Sequence, residues 1–148
     1  MNGCRTQFVI SLMLAWLFLS ACAPAPTLTY GGDSWKLTGV GTVDEVKGDG
    51  SSAPLFADEG QVFLQLTFES VTEKCLVDLD RYLSDVYVTD NQNTRYWVVN
   101  TSVALAVVEG RIELHRCGTH TVTFSDMPKD RQGLQLHFFD MPPVELGR

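Results

Sequence analysis

From Trp35 onward the chain alternates apolar and polar residues with period two. Gln61-Val62-Phe63-Leu64-Gln65-Leu66-Thr67-Phe68-Glu69 is the cleanest case. Val62, Leu64, Leu66 and Phe68 share one face, and Gln61, Phe63, Gln65, Thr67 and Glu69 the other, which predicts a half-buried strand. Trp35 to Val46 predicts an earlier strand, kinked or bulged at Gly39 and Gly41. Lys47 to Glu59, centred on Gly48-Asp49-Gly50-Ser51-Ser52-Ala53-Pro54, reads as a loop. Cys75-Leu76-Val77 starts a further strand, and Asp78 to Leu83 is irregular or a single helical turn.

Asp85 to Thr89 and Arg95 to Val99 flank the polar segment Asp90-Asn91-Gln92-Asn93-Thr94, a hairpin pattern. Val103 to Val108 is apolar but six residues long, and the adjacent Glu109-Gly110 turn favours a strand over a short helix. Ile112 to His115, Thr121 to Phe124, Leu134 to Phe138 and Val144 to Leu146 complete the series. Seven to nine short strands at regular spacing predict an all-β fold, a single antiparallel β-sandwich of immunoglobulin-like type. A small β-barrel is the alternative. Trp97 lies between Cys75 and Cys117 as in immunoglobulin domains, but His115 stands where their tyrosine would.

The first twenty-one residues follow another pattern. Met1 to Gln7 carries Arg5 and no acid, and Phe8 to Leu19 is an apolar run of twelve. That run is shorter than the ~20 residues of a spanning helix and fits a secretory signal. Leu19-Ser20-Ala21-Cys22 closes it, followed by Ala23-Pro24-Ala25-Pro26. This resembles the lipobox of bacterial lipoproteins. The resemblance implies a diacylglyceryl group on Cys22, cleavage before it, and no other cofactor. It also implies residence on the extracytoplasmic side of a cell membrane or outer membrane. Ala23, in place of an inner-membrane-retaining Asp, permits the outer membrane. Cleavage by ordinary signal peptidase after Ala21 or Ala23, and an uncleaved anchor, are the rival readings. The domain scheme is therefore a signal peptide over 1–21, a lipidated Cys22 with a short linker over 22–32, and the β-domain over 33–148.

Ser84-Asp85-Val86-Tyr87-Val88-Thr89-Asp90, Thr94-Arg95-Tyr96, Thr121-Val122-Thr123-Phe124, Met127-Pro128-Lys129-Asp130 and Gly133 to Phe138 resemble a bacterial immunoglobulin-like domain of unknown function, over roughly 34–146. Such domains sit on lipoproteins and exported proteins. The resemblance brings no catalytic residues.

Composition narrows the function classes. After loss of 1–21 the chain keeps 10 bases and 18 acids, a net charge of −8. That excludes the basic footprint of a nucleic-acid binder and disfavours docking on anionic lipid. With Cys22 carrying lipid and Cys4 removed, Cys75 and Cys117 remain as one pair, which in an oxidising compartment predicts a disulfide. Closing its loop of about 42 residues contributes roughly 4 kcal/mol by chain entropy. Two buried thiols, or a two-cysteine zinc site, are the alternatives.

No Gly-x-Ser-x-Gly, free catalytic cysteine or phosphate-cradling glycine loop is present. The chain reads as a non-enzyme with no catalytic residues. Asp33, Asp44, Glu45, Asp49, Asp58 and Glu59 match no calcium-loop spacing, and His115, His120 and His137 are too dispersed for a ligand set, so no metal site is assigned. Asp78, Asp80 and Asp85 around Arg81 suggest local ion pairs. Asn100-Thr101-Ser102 satisfies the glycosylation sequon by chance. Tyr87, Tyr96 and Trp97 form a candidate binding surface, with Tyr96 and Trp97 facing opposite sides of one strand. The expected role is a protein-interaction or structural module of the cell envelope, its partners being the membrane through the lipid and an envelope protein. The alternative is a solute- or metal-binding lipoprotein for calcium or zinc.

Overall fold

The alternation seen in the chain becomes thirteen strands and one helix among the described residues. The structure, a computed structural model, describes residues 25–47, 53–71, 76–102, 105–108, 111–115 and 118–147. The elements are β1 (Thr27–Tyr30), β2 (Asp33–Val43), β3 (Glu45–Val46), β4 (Leu55–Phe56), β5 (Gln61–Ser70), β6 (Leu76–Asp78), α1 (Leu79–Asp85), β7 (Val86–Thr89), β8 (Arg95–Thr101), β9 (Leu105–Val108), β10 (Arg111–His115), β11 (Thr119–Pro128), β12 (Gln135–Phe138) and β13 (Val144–Glu145). Eight of them form one sheet in the order β1-β2-β5-β11-β8-β7-β12-β13. Every pairing in it is antiparallel. A three-stranded sheet β6-β10-β9 and the β3–β4 ribbon lie beside it.

The large sheet curls. Strands β2 and β12 stand five steps apart, about 24 Å in a flat sheet at ~4.8 Å per step. Yet the Trp35 and Phe138 rings are 5.6 Å apart, edge to face. The two ends have folded over into facing layers that share one core, with Leu28, Leu37, Leu66 and Phe68 from one side and Val86, Val88, Leu136 and Phe138 from the other. The expected antiparallel β-sandwich is thus present, its layers joined in one continuous sheet. At one corner the ends nearly meet, which gives the curl a barrel-like edge: the Thr29 N–H donates to the Met141 sulfur at 3.0 Å, and Tyr30 stacks on Phe139 at 3.8 Å.

Three sequence expectations are corrected. The linker expected through Gly32 ends earlier. Thr27–Tyr30 pairs with Asp33–Lys36, and Leu28 is fully buried, so the domain starts near Thr27. The Lys47–Glu59 loop contains Leu55–Phe56, which pairs with Glu45–Val46 as a short ribbon. The segment from Asp78 to Leu83, expected to be irregular or a single helical turn, is divided: Asp78 ends β6, and Leu79 to Leu83 lie in a seven-residue helix, Leu79–Asp85. Its Arg81 donates to Asp85 through Nε and Nη2, at 3.0 and 2.8 Å, an i,i+4 ion pair at the surface. The kink expected at the β2 glycines is real: the β2–β5 register shifts between Leu37 and Gly39. A Cβ on Gly39 would lie 3.2 Å from Thr67 Cβ and Oγ1, so a larger residue there would press on the Thr67 side chain.

Cys22, Cys75 and Cys117 lie outside the described residues. Leu76, next to Cys75, is the register partner of His115, two positions before Cys117.

Tyr82 on α1 is buried edge-on to Phe138 and Phe139, at 6.4 and 6.1 Å. Its hydroxyl has no hydrogen-bond partner among the described residues, and burial raises the phenol above its ordinary range. Tyr82→Phe removes that unpaired group, so thermal unfolding should show unchanged stability or a gain of up to about 1 kcal/mol. A loss of more than about 1 kcal/mol would mean that the hydroxyl is bonded.

Candidate binding face

The β7–β8 hairpin and β12 position the aromatic candidates. The hairpin turn is built by Asp90. Its Oδ1 accepts the backbone N–H groups of Gln92 and Thr94, at 2.8 and 2.9 Å, and its backbone pairs with Thr94 and Asn93. Asn93 takes the left-handed conformation, φ 61°, that asparagine tolerates. Gly133, at φ 64°, passes so close to Asn91 that a Cβ would lie 3.1 Å from Asn91 Cβ. That contact docks the 131–134 segment on the turn and brings β12 alongside β7.

The registers then fix which side chains meet. Trp97 is opposite Tyr87, and Tyr87 is opposite His137. Val88, Tyr96, Leu136 and Phe138 point into the core, so Trp97, Tyr87 and His137 form one outward row across three strands. Tyr87 and His137 stack with centroids 4.5 Å apart and planes 9° from parallel. Trp97 leans on Tyr87 at 5.2 Å and 47°. The Arg95 guanidinium carbon sits 4.8 Å from the Tyr87 ring centre and 5.9 Å from that of Trp97, a cation–π arrangement. His137 Nε2 and the Thr89 hydroxyl share a hydrogen bond of 2.9 Å. Burial first, and the Arg95 charge second, hold the His137 imidazole below its ordinary pKa, so it stacks in its neutral form near pH 7. Trp97 remains 40% exposed and Val99, two residues on, 43%.

This arrangement suits contact rather than bond-making. It offers ring edges, an indole N–H, and a guanidinium fork pre-set by two rings. The hydrophobic core lies on the opposite side of the same strands. Among the described residues, no group of three or more His, Cys, Asp or Glu side chains is placed to hold a metal ion.

No protein-family model matches the chain, and no curated protein does. Among solved structures, the chain is similar to an uncharacterized beta-sandwich protein from Clostridium difficile 630, at 14% identity and a TM-score of 0.47. The match covers 83% of this chain and 89% of that one.

Of the three candidate surface residues, the structure brings Tyr87 and Trp97 together and turns Tyr96 inward. Tyr96 is 4% exposed and donates its hydroxyl to Asp90 Oδ2 at 2.9 Å. Burial, then the Asp90 carboxylate, hold its phenol above the ordinary range. Alternation requires that one of the adjacent pair be core, and the Asp90 partner decides which. Arg95 and His137 were missed. Arg95 shares a face with Trp97 by the i,i+2 rule, a signal present in the sequence. His137 joins only through the β7–β12 pairing, fifty positions from its stacking partner.

Proposed function

We propose that this chain is an extracytoplasmic lipoprotein whose β-domain acts as a non-catalytic interaction module of the cell envelope. The observation that carries the interaction part is the outward Trp97–Tyr87–His137 row with Arg95, an aromatic patch outside the core in which Trp97 stays 40% exposed. Aromatic side chains and arginine are the residue types that dominate protein contacts. The anchor rests on the lipobox resemblance at Cys22. Thr27 follows Cys22 by five positions, so the tether spans at most about 17 Å. Such a tether holds the domain at the membrane surface and raises its effective concentration for an envelope partner. Two or more acyl chains make that attachment stable, at ~0.8 kcal/mol per buried CH₂. A Cys75–Cys117 disulfide fits the same compartment.

Labelled palmitate tests the anchor. It should enter the wild-type protein and not Cys22→Ala, which should accumulate as precursor or leave the membrane fraction. Equal labelling of both forms would refute the lipid reading.

A further inference from the structure

The outward face carries a second feature, beyond the aromatic row. Gln65, Thr123 and Asn100 stand opposite one another on β5, β11 and β8. Leu64, Leu66, Val122 and Phe124, their neighbours in the chain, belong to the core. The Gln65–Thr123–Asn100 row therefore faces away from it. With Glu45 to Lys47 at the end of the β3 ribbon, this row bounds a groove of about 440 Å³. Small-ligand sites span roughly 300–1,000 Å³.

The chemistry of the lining is specific. Thr121 and Ser102 extend the row, so the groove presents carboxamides and hydroxyls. Gln65 Nε2 donates to Thr123 Oγ1 at 3.4 Å, and the Thr121 N–H donates to Ser102 Oγ at 2.8 Å. Amides and hydroxyls both donate and accept, as the hydroxyls of a polyol do.

Charge points the same way. Glu45 and Lys47 place one charge of each sign on the rim, so the groove is neutral in a chain of net charge −7. It holds no excess charge to select a cation or an anion. Strand addition by a peptide is blocked too, because β5, β11 and β8 are each paired on both edges. Trp97, 40% exposed, lies outside this lining, three residues along β8 from Asn100 and so about 10 Å away. An indole face packs well on the apolar C–H face of a sugar.

We propose that this groove is a binding subsite for a neutral saccharide. Asn100 and Gln65 hydrogen-bond one sugar unit, Thr123, only 3% exposed, holds the Gln65 carboxamide in place, and Trp97 carries the next unit. The proposal goes beyond the interaction reading above and does not depend on the lipid. The test uses the full-length mature protein in a polyoxyethylene detergent, which has no sugar headgroup. Maltotetraose, cellotetraose and tetra-N-acetylchitotetraose are titrated by calorimetry, with tryptophan fluorescence alongside; calcium chloride and sodium phosphate serve as charged probes.

At least one tetrasaccharide should saturate with Kd of about 1 mM or tighter. Asn100→Ala should weaken it about tenfold, a difference of roughly 1.4 kcal/mol. Thr123→Val should weaken it as well. Both variants should keep the wild-type resistance to chemical unfolding, and a variant that loses it is replaced by Gln65→Leu. No saturation by any of the three sugars at about 10 mM would overturn the proposal. So would saturation of both folded variants at the wild-type Kd, or saturation by calcium or phosphate alone.

Discussion

Replacing Phe138 with alanine is expected to cost about 3–5 kcal/mol, the range for truncating a buried aromatic. Its ring is the point at which the curled sheet closes on itself. It meets Trp35 at 5.6 Å, Phe68 at 6.2 Å, Tyr82 at 6.4 Å and Phe139 at 4.9 Å. Those partners come from β2, β5, α1 and the turn after β12, so no single neighbour can move in to fill the void. A domain of this size has only about 5–15 kcal/mol to lose. The unfolding midpoint should fall by roughly 10–20 °C, read by circular dichroism. Phe138→Leu keeps most of the volume and should cost well under half as much. A loss below about 1 kcal/mol for the alanine variant would mean that the two layers do not close on this ring.

Asp90→Ala is the second large effect, for a polar reason. The Asp90 side chain is buried and serves four groups at once. Two are the backbone N–H groups of Gln92 and Thr94, the third is the Tyr96 hydroxyl, and the fourth is Arg131. Arg131 Nε lies 3.2 Å from Asp90 Oδ2, an ion pair without hydrogen-bond alignment. Truncation leaves three donors unpaired, each costing about 1 kcal/mol or more, for a total near 3 kcal/mol. Losing the carboxylate beside Arg131 adds to this cost, because the Asp90 side chain is fully buried and the Arg131 Nε is buried as well. The turn should loosen with it, so amide exchange at Gln92 and Thr94 should accelerate. Stability within about 0.5 kcal/mol of wild type would contradict this reading of the turn.

The same residue shapes the acid limb of stability. Burial pushes the Asp90 carboxyl upward, but the Thr94 and Gln92 N–H groups, the Tyr96 hydroxyl and Arg131 outweigh it and hold the pKa below its ordinary value. A lowered carboxylate pKa contributes stability above the unfolded value, about 3.9, and loses it as pH falls through the folded one. His120, stacked on Phe68 at 5.5 Å, is also lowered, by burial against a smaller upward push from the Gly118 backbone. Its contribution is complete above the unfolded imidazole value, about 6.5, and fades below it, because the unfolded chain takes the proton first. Urea titrations from pH 7.5 to 3 should therefore show stability declining from about pH 6.5 and again below about pH 4. Asp90→Ala should flatten only the lower decline.

The period-two pattern made much of the fold legible. The inward set Val62, Leu64, Leu66 and Phe68 is buried as expected, and the hairpin around Asp90 to Thr94 forms. Phe63, on the expected outward face, is nonetheless buried. The β3–β4 ribbon lies on that side, and its pairing of Glu45–Val46 with Leu55–Phe56 spans a glycine-rich segment with no period of its own. Thr27–Tyr30 is too short and polar to mark itself as a strand; only its partner strand and the buried Leu28 make it one. Within the candidate face, Tyr87 and Trp97 are neighbours because one short turn sets their register. His137 and the Gln65–Thr123–Asn100 row depend on long-range pairing order, which local alternation does not encode.

Intact mass spectrometry of the protein extracted from its own membrane tests the central claim most directly. Processing at the lipobox gives a chain that starts at Cys22, lacks residues 1–21, and carries the mass of two or three acyl chains. It also lacks two hydrogens for the Cys75–Cys117 bridge. A chain starting at Ala23 or retaining Met1, or an unmodified Cys22, would contradict the account of a lipid-held envelope domain.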